Sequence, residues 1–329
     1  MSEITLGNQN NRWQWLDSAK GIAVFAVMMA HTANFVFASP DIFAVLVIDT
    51  FFMPLFFLCS GFVSIKLLNR SVEHKYGIVL KDFSLLFPLL FCGAVYSYCI
   101  TGDYTINGTL KRLFSTWSIG YWFLFVLFLF RIAVIFSEMV VSICKIDRYK
   151  TVGVIILSFV VAFMLGRLTD RWGFVVAYFP FFILGIIMRK YSLHTLILQY
   201  QWGTTVLVIL AMLSFVAYHY LDLSIHPVFH TFVVRGLVTL SLFLACSYSG
   251  GNRLLAKIGS YSLDIYCLHY FFIVGCHKVL VPEDFLLPYP WAVQTLLIFM
   301  VAILLTMASI VLSKCISAVP NLHKLIFGR

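Results

Sequence analysis

The sequence predicts an all-α polytopic membrane protein, a single bundle of about ten transmembrane helices with both termini in the cytoplasm. Of its 329 residues, 61% are hydrophobic, 17% are aromatic and only 11% are charged. Soluble domains average about 45–50% apolar and about 25% charged residues. A soluble domain could not bury this much apolar surface, so we expect many of these side chains to face lipid.

Ten apolar runs approach the length of about 20 residues that a helix needs to cross a bilayer. They lie at 18–38, 43–65, 78–100, 119–144, 151–167, 173–188, 203–221, 228–248, 259–281 and 291–313. The connections are mostly short, without an internal repeat or a low-complexity linker. We therefore expect one membrane-embedded domain over residues 1–329. No small-residue cleavage site follows the polar N-terminal stretch, so the first span is expected to be retained.

The distribution of lysine and arginine predicts the orientation. With the N-terminus in the cytoplasm, sixteen of these residues fall on the inside and five on the outside. Cytoplasmic loops carry such an excess, so both termini are expected in the cytoplasm. We expect a multi-pass protein of the cytoplasmic (inner) membrane. The net charge of +9 is scattered between apolar runs rather than gathered on one face, so it predicts no nucleic-acid partner.

The eight cysteines lie mostly inside the apolar runs, with no Cys-x-x-Cys pair and no spacing typical of metal ligands. We expect them to be small packing residues that form neither disulfides nor a metal site.

Ionisable groups within a span are functional candidates, because an Arg, Lys or Asp at the bilayer centre costs at least about 2.5–3.5 kcal/mol. The candidates are His31, Asp49, Arg131, Arg235, Asp264 and His269. Charge pairs inside a bundle are also found in purely structural roles, and this alternative is equally open for Asp49, Arg131 and Arg235. A functional role is favoured for the two histidines.

Lys20 and His31 are predicted to share one face of the first helix. Eleven steps of about 100° return almost to the same direction, with a rise of about 16 Å. Lys20 is then expected at the cytoplasmic mouth and His31 about halfway along the span, where an imidazole can act as a general base. Asp17 lies one turn before Lys20, where it can pair with that ammonium group or cap the helix, and the cap is slightly favoured.

Two motifs accompany this pair: Trp15-Leu-Asp-Ser-Ala-Lys-Gly-Ile-Ala, which leads to His31, and Phe51-Phe-Met-Pro-Leu-Phe-Phe-Leu-Cys-Ser-Gly-Phe. Together they resemble the acyltransferase-3 family of membrane O-acyltransferases, and most of all its fucose O-acetyltransferase-like branch. The resemblance continues at Trp117–Leu124 and at Ile258-Gly-Ser-Tyr-Ser-Leu-Asp-Ile-Tyr-Cys-Leu-His. The sequence departs from that branch at Phe52, where His is common, and at Ala30, where Gly is common.

The resemblance implies an O-acetyltransferase that modifies a cell-envelope polysaccharide or lipid-linked glycan. It implies that His31 assists acyl transfer and that Lys20 and basic loop residues receive acetyl-CoA. Acetyl-CoA would then be a co-substrate, and we expect no permanently bound cofactor. Lys66 and Arg70 suit the phosphates of CoA, although membrane topology alone also accounts for them.

Further residues are weaker candidates for this chemistry. Arg131 can stabilise a developing negative charge, and His269 is expected about midway through its span, where it can line a cavity with His31. Trp117 and Trp122 are expected toward the outer interface. The default interpretation is that they belong to an aromatic belt, and the alternative is that they stack on a sugar ring. Ser60, beside Gly61, is expected to serve helix packing rather than nucleophilic catalysis.

Two other functions stay open. Intramembrane charges also mark the substrate pathway of a transporter or of a flippase for glycan intermediates. Histidines on facing helices also hold haem, which would make His31 and His269 axial ligands.

Overall fold

The computed structural model describes residues 13–37, 42–68, 83–84, 86–101, 105, 107, 121–144, 149–200, 202–220, 230–277, 285–286 and 288–328. These ranges are largely helical and contain no strand. The predicted all-α polytopic membrane fold is thereby confirmed.

The α-helices in chain order are α1 (Gln14–His31), α2 (Phe43–Asp49), α3 (Phe52–Val63), α4 (Leu86–Thr101), α5 (Trp122–Ile143), α6 (Lys150–Leu168), α7 (Trp172–Lys190), α8 (Leu193–Gln199), α9 (Gly203–Tyr220), α10 (Arg235–Tyr248), α11 (Arg253–Ser260), α12 (Ser262–His277), α13 (Trp291–Ser317) and α14 (Pro320–Phe327). A π-helical turn, Thr32–Val36, extends α1, a 3-10 turn, Ser64–Leu67, extends α3, and a second π-helical turn, His230–Val234, precedes α10.

Each of the ten predicted apolar runs overlaps a helix. Six spans within the described ranges are long and apolar enough to cross a membrane, namely Gln14–Val36, Phe43–Leu67, Trp122–Ile143, Lys150–Leu168, Trp172–Lys190 and Trp291–Ser317. Two sharply bent helix pairs, α8 with α9 and α10 with α11, raise that number to eight. The two remaining runs hold the shorter apolar segments of α4 and α12. Ten crossings and two cytoplasmic termini stay predictions.

The close crossing of α1 over α11 depends on two glycines. A β-carbon added at Gly21 would collide with the backbone carbonyl of Leu255, and one added at Gly259 would collide with that of Asp17. Two hydrogen bonds strengthen this crossing: the Ser18 hydroxyl donates to the Asn252 carbonyl and accepts from the Asn252 amide, both at 2.9 Å. The Lys-Gly and Ile-Gly-Ser motifs therefore meet in space.

A second crossing joins α3 to α7 in the same way. A β-carbon at Gly61 would strike the carbonyl of Phe182, and one at Gly185 would strike that of Leu58. This contact supports the packing role expected for Gly61, and the packing role of Ser60 stays a prediction. The backbone carbonyl of Ser60 accepts a 2.7 Å hydrogen bond from the Ser64 hydroxyl.

The two ends of the helix bundle differ in the side chains that they carry. At the first, the guanidinium of Arg189 lies 3.9 Å from the centre of the Trp13 ring, and Phe62 packs edge-on against Trp13 at 5.5 Å. Lys66, at the end of α3, and Lys190, at the end of α7, lie at this basic end. The opposite end holds the C-terminus of α1 and the N-termini of α3, α5 and α7. We refer to it as the pocket end.

The glycine crossings predict a stability difference between glycine positions. Gly61→Ala should lower the free energy of unfolding by about 1–3 kcal/mol, because the added carbon overpacks a backbone contact. Gly173→Ala is the matched control, since a β-carbon there meets nothing within 4 Å. Thermal unfolding of both purified variants in detergent measures the difference. Equal midpoints for the two variants would contradict a close crossing at Gly61.

Candidate active site

Two histidines from distant parts of the chain stack on each other at the pocket end. His31 is the last residue of α1, and His269 lies in the middle of α12. Their ring centroids are 5.3 Å apart and their planes differ by 15°. The structure thus brings together the two histidines that the sequence singled out, although His31 lies nearer the end of its span than the midpoint.

Backbone carbonyls fix the orientation of the His269 ring. Its Nδ1 lies 2.8 Å from the carbonyl oxygen of Tyr266 and 3.1 Å from that of Ile265. Both partners only accept hydrogen bonds, so Nδ1 carries the hydrogen and neutral His269 has its lone pair on Nε2. That Nε2 is buried and makes no hydrogen bond among the described residues. A buried imidazole is suited to proton transfer when hydrogen bonds hold one of its nitrogens and the other nitrogen has none.

Tyr270 is the hydrogen-bond partner of His31. Its hydroxyl oxygen is 3.2 Å from His31 Nε2, and its ring lies 4.1 Å, centre to centre, from that of His269. The three rings form one cluster in which each restricts the rotation of the others. The contact spans 239 residues of sequence, so no local pattern points to it.

A cavity of about 270 Å³ opens beside His31. Most of its wall is apolar or aromatic, and the lining consists of Val27, His31, Phe52, Met53, Trp122, Phe123, Gly173, Phe174, Ala177, Tyr178 and Tyr266. The first turns of α3, α5 and α7 supply much of this wall. The cavity is therefore an aromatic pocket with an imidazole on one side.

Trp122 is anchored in this wall by two other rings. Its ring lies 4.0 Å from that of Phe174 and 5.7 Å from that of Tyr178, centre to centre, with interplanar angles of 22° and 26°. All three rings line the cavity, so this part of its wall is aromatic. Trp117, the other tryptophan predicted here, lies outside the described residues.

Lys20 lies far from the histidines, toward the basic end, and pairs with Asp17 across 3.6 Å. Helix α1 begins at Gln14, with Trp13 as its N-cap residue, so the slightly favoured role of Asp17 as the cap is wrong. Asp17 instead lies in the first turn, where its carboxylate attracts the ammonium group of Lys20. Between Lys20 and His31 the same helix face carries Val24 and Val27, which are 0% and 2% exposed.

Arg131 occupies a different level of the bundle from the histidines. It lies nine residues after Trp122 on α5, which is about 13 Å along the axis. Its Nη1 donates a 2.9 Å hydrogen bond to the hydroxyl of Ser64, next to the exposed Lys66. Arg70, the other predicted donor-binding residue, lies outside the described residues.

The chain matches a family model described as an acyltransferase domain over residues 13–313. The chain belongs to the acyltransferase-3 family. Neither a curated protein nor a solved structure matches it. The family resemblance noted in the sequence is confirmed, whereas membership of the fucose O-acetyltransferase-like branch stays a prediction. The protein is thus a multi-pass membrane acyltransferase.

The Tyr270 contact predicts a change in turnover. Tyr270→Phe keeps the ring and removes the hydroxyl that orients His31, so kcat for acyl transfer should fall about tenfold, the equivalent of one hydrogen bond of about 1.4 kcal/mol. The KM for the acyl donor should not change. Steady-state kinetics of the purified variant test this.

Tyr96→Phe is the control for that variant. The Tyr96 ring packs against Tyr270 at 5.4 Å, so this change removes a hydroxyl from the same aromatic cluster but not the one that contacts His31. An equal loss in both variants would mean that Tyr270 contributes only to packing.

Proposed function

We propose that this protein transfers an acetyl group from acetyl-CoA to a sugar hydroxyl of a cell-envelope polysaccharide or lipid-linked glycan, in the cytoplasmic (inner) membrane. One observation carries the proposal. In a chain of the acyltransferase-3 family, His31 lines an aromatic pocket of about 270 Å³, and His269 stacks on His31 without itself lining the pocket. A pocket of this kind suits a small ring with one polar edge and one apolar face.

The basic end supports the donor side of the proposal. Lys20, Lys66 and Arg70 are the residues proposed to receive the phosphates of acetyl-CoA from the cytoplasm. Arg189 adds a further cation at this end, stacked on Trp13, and no described carboxylate forms an ion pair with it. Guanidinium and ammonium groups bind phosphate oxygens strongly where water is partly excluded.

In the proposed reaction the sugar oxygen attacks the acetyl carbonyl carbon, and the bond from that carbon to the CoA sulfur breaks. The hydroxyl proton passes to His31, and His31 then donates this proton to the departing CoA thiolate. With Nε2–H of His31 donating to Tyr270, Nδ1 keeps the lone pair that accepts this proton. His269, with its bare Nε2, is the second proton acceptor beside it.

Arg131 is proposed to hold an oxygen of the donor. The sequence predicts that Arg131 stabilises the developing oxyanion. Its position toward the basic end instead favours contact with acetyl-CoA before transfer. Ser64 holds its guanidinium in place at 2.9 Å. Asp17 and Ser60 are supporting residues: one pairs with Lys20, and the other lies at the crossing of α3 and α7.

Transport or flipping of a glycan intermediate is the second candidate function, because polar groups lie at both ends of the bundle. Purified protein separates the two functions. An acetyltransferase consumes acetyl-CoA and labels a sugar acceptor, whereas a flippase does neither. Haem binding is disfavoured, because imidazoles stacked face to face at 5.3 Å do not direct their nitrogens at an iron between them.

Separate roles are predicted for His31 and Lys20. His31→Ala should reduce kcat about 10²–10⁴-fold while acetyl-CoA still binds, because the general base is lost. Lys20→Ala should raise the KM for acetyl-CoA, and Lys20→Arg should keep much of the activity because the charge survives. Radiolabelled acetyl transfer and equilibrium binding of acetyl-CoA measure the two effects.

Lys314→Ala is the control for Lys20→Ala. It removes an exposed cation from the last turn of α13, on a helix that contributes no residue to the proposed donor site. A stably inserted His31→Ala protein that still acetylates glycan at the normal rate would contradict the catalytic role of His31.

The pocket predicts a graded steric effect at Gly173. This glycine lines the cavity, and a β-carbon there meets nothing within 4 Å, so we expect a larger side chain to project into the pocket. Gly173→Leu should abolish acetyl transfer to the acceptor, and Gly173→Ala should weaken it. Binding of acetyl-CoA should be unchanged in both. Full transfer activity in a folded Gly173→Leu protein would place the acceptor elsewhere.

A further inference from the structure

Arg189 lies against aromatic rings at the basic end of the bundle. This half-buried residue is in the last turn of α7, and its guanidinium lies over the Trp13 ring, with the central carbon 3.9 Å from the ring centre. The same carbon is 5.5 Å from the centre of the Phe62 ring, which is fully buried. The guanidinium is therefore directed toward the helix bundle rather than away from it.

Two rings hold Trp13 in place beneath this guanidinium. Phe62 packs edge-on against it at 5.5 Å, and Trp15 lies nearly parallel to it at 6.2 Å, with planes 15° apart. A guanidinium that lies over an aromatic ring keeps its N–H donors, which point outward in its own plane. Arg189 is therefore oriented in advance to donate hydrogen bonds to an oxygen-rich ligand.

The positive charge of Arg189 is available to an anionic ligand. Four other cations toward this end are each held by a polar side chain: Lys20 by Asp17, Lys150 by Glu138, Arg131 by Ser64 and Lys190 by Thr151. Arg189 contacts aromatic rings instead and forms no ion pair with a carboxylate of the described residues. An incoming anion therefore does not have to displace an acidic side chain from it.

The level of Arg189 in the bundle indicates which part of a CoA thioester it can meet. Trp13 precedes Lys20 by seven residues and His31 by eighteen, which corresponds to about 10 Å and about 27 Å along the axis of α1. In acetyl-CoA the thioester, the pyrophosphate and the adenosine 3′-phosphate follow one another along the molecule. With the thioester directed toward His31 and the pyrophosphate near Lys20, the 3′-phosphate falls near Trp13 and Arg189.

The 3′-phosphate also matches a guanidinium better than a membrane lipid does. A phosphomonoester carries a charge of about −1.5 to −2 at pH 7 and presents three acceptor oxygens. The phosphate of a lipid such as phosphatidylglycerol is a diester with one negative charge. A guanidinium can bind two oxygens of a phosphate group at once, so its contact is strongest with the more highly charged monoester.

We propose that Arg189, held over the Trp13 ring, binds the adenosine 3′-phosphate of the acetyl-CoA donor. This inference rests on the function proposed above and specifies which part of the donor the site recognises. Lys20 then serves the pyrophosphate and Arg189 the 3′-phosphate, so the two cations bind different parts of one molecule.

The test compares two ligands that differ by one phosphate group, CoA and 3′-dephospho-CoA. Equilibrium dialysis against the full-length protein in phosphatidylcholine nanodiscs measures both Kd values and needs no acceptor. The Kd for 3′-dephospho-CoA should be higher by about tenfold or more, because a hydrogen bond between charged groups is lost. Equal Kd values for the two ligands would overturn the proposal.

Substitutions of Arg189 connect this preference to the residue. Arg189→Gln should raise the Kd for CoA about tenfold and leave no difference between the two ligands. Arg189→Lys should keep part of the preference, because an ammonium retains the charge but lacks the planar fork of donors. A wild-type preference in a folded Arg189→Gln protein would contradict the assignment.

Arg253→Gln is the matched control. It removes an exposed arginine from the first position of α11, the helix that crosses α1 at the same end of the bundle. This variant loses the same charge but should keep the wild-type preference for CoA. An equal loss of preference in Arg253→Gln and Arg189→Gln would mean that only the overall charge of the basic end matters, and it would overturn the specific contact.

Lipid composition separates the donor from a membrane lipid as the source of the phosphate. The same measurements are repeated in nanodiscs that contain phosphatidylglycerol, together with thermal unfolding of each variant. If Arg189 binds the donor, Arg189→Gln should abolish the preference for CoA in both membranes. The proposal is overturned if phosphatidylglycerol raises the unfolding temperature of the wild type but not of Arg189→Gln, while the preference for CoA is the same in both proteins.

Acetyl transfer separates this inference from the proposed function. A preference for CoA that depends on Arg189 supports the 3′-phosphate site even if labelled acetyl-CoA acetylates no envelope glycan, and in that case the proposed function fails alone. Transfer to glycan with the same KM for acetyl-CoA and acetyl-3′-dephospho-CoA would leave the proposed function and remove the 3′-phosphate site.

Discussion

The geometry of the candidate active site depends on how closely α1 approaches its neighbours. Gly21 and Gly259 let the backbones of α1 and α11 touch, and the hydrogen bonds between Ser18 and Asn252 fix their register. Helix α11 leads through Tyr261 directly into α12, which carries His269. Because each residue advances a helix by about 1.5 Å, a slip of one position along α1 would remove the 3.2 Å contact between His31 and Tyr270. The small residues at the basic end thus determine chemistry at the pocket end.

The two ends of the bundle have complementary chemistry. The basic end carries Arg189 on the Trp13 ring together with Lys66 and Lys190, whereas the pocket end is lined mostly by aromatic and apolar side chains. The donor proposed above, acetyl-CoA, is highly charged, whereas the proposed acceptor is a sugar. Under that proposal the two substrates bind at different ends of the bundle and do not compete for a single site.

Composition and hydropathy were sufficient to predict the membrane fold, because the length of an apolar run is a local property of the sequence. The helical face shared by Lys20 and His31 was predictable for the same reason. Contacts between distant segments were not. Tyr270 lies 239 residues from His31, and the two residues meet only through helix packing. Asp17 was misassigned because the helix begins earlier, at Gln14, where no typical capping side chain marks its start.

Val24 and Val27 lie on the helix face between Lys20 and His31, and both are almost fully buried. Their packing closes this stretch of the bundle with hydrocarbon in the state seen here. A cell membrane maintains an electrochemical gradient worth about 2.3 kcal/mol per elementary charge for each 100 mV, and a continuous wet channel would dissipate it. The buried valines are suited to keep such a channel closed at this level of the bundle. If acetyl-CoA enters from the basic end, as proposed above, its thioester arm must displace these side chains and then fill the space that they leave.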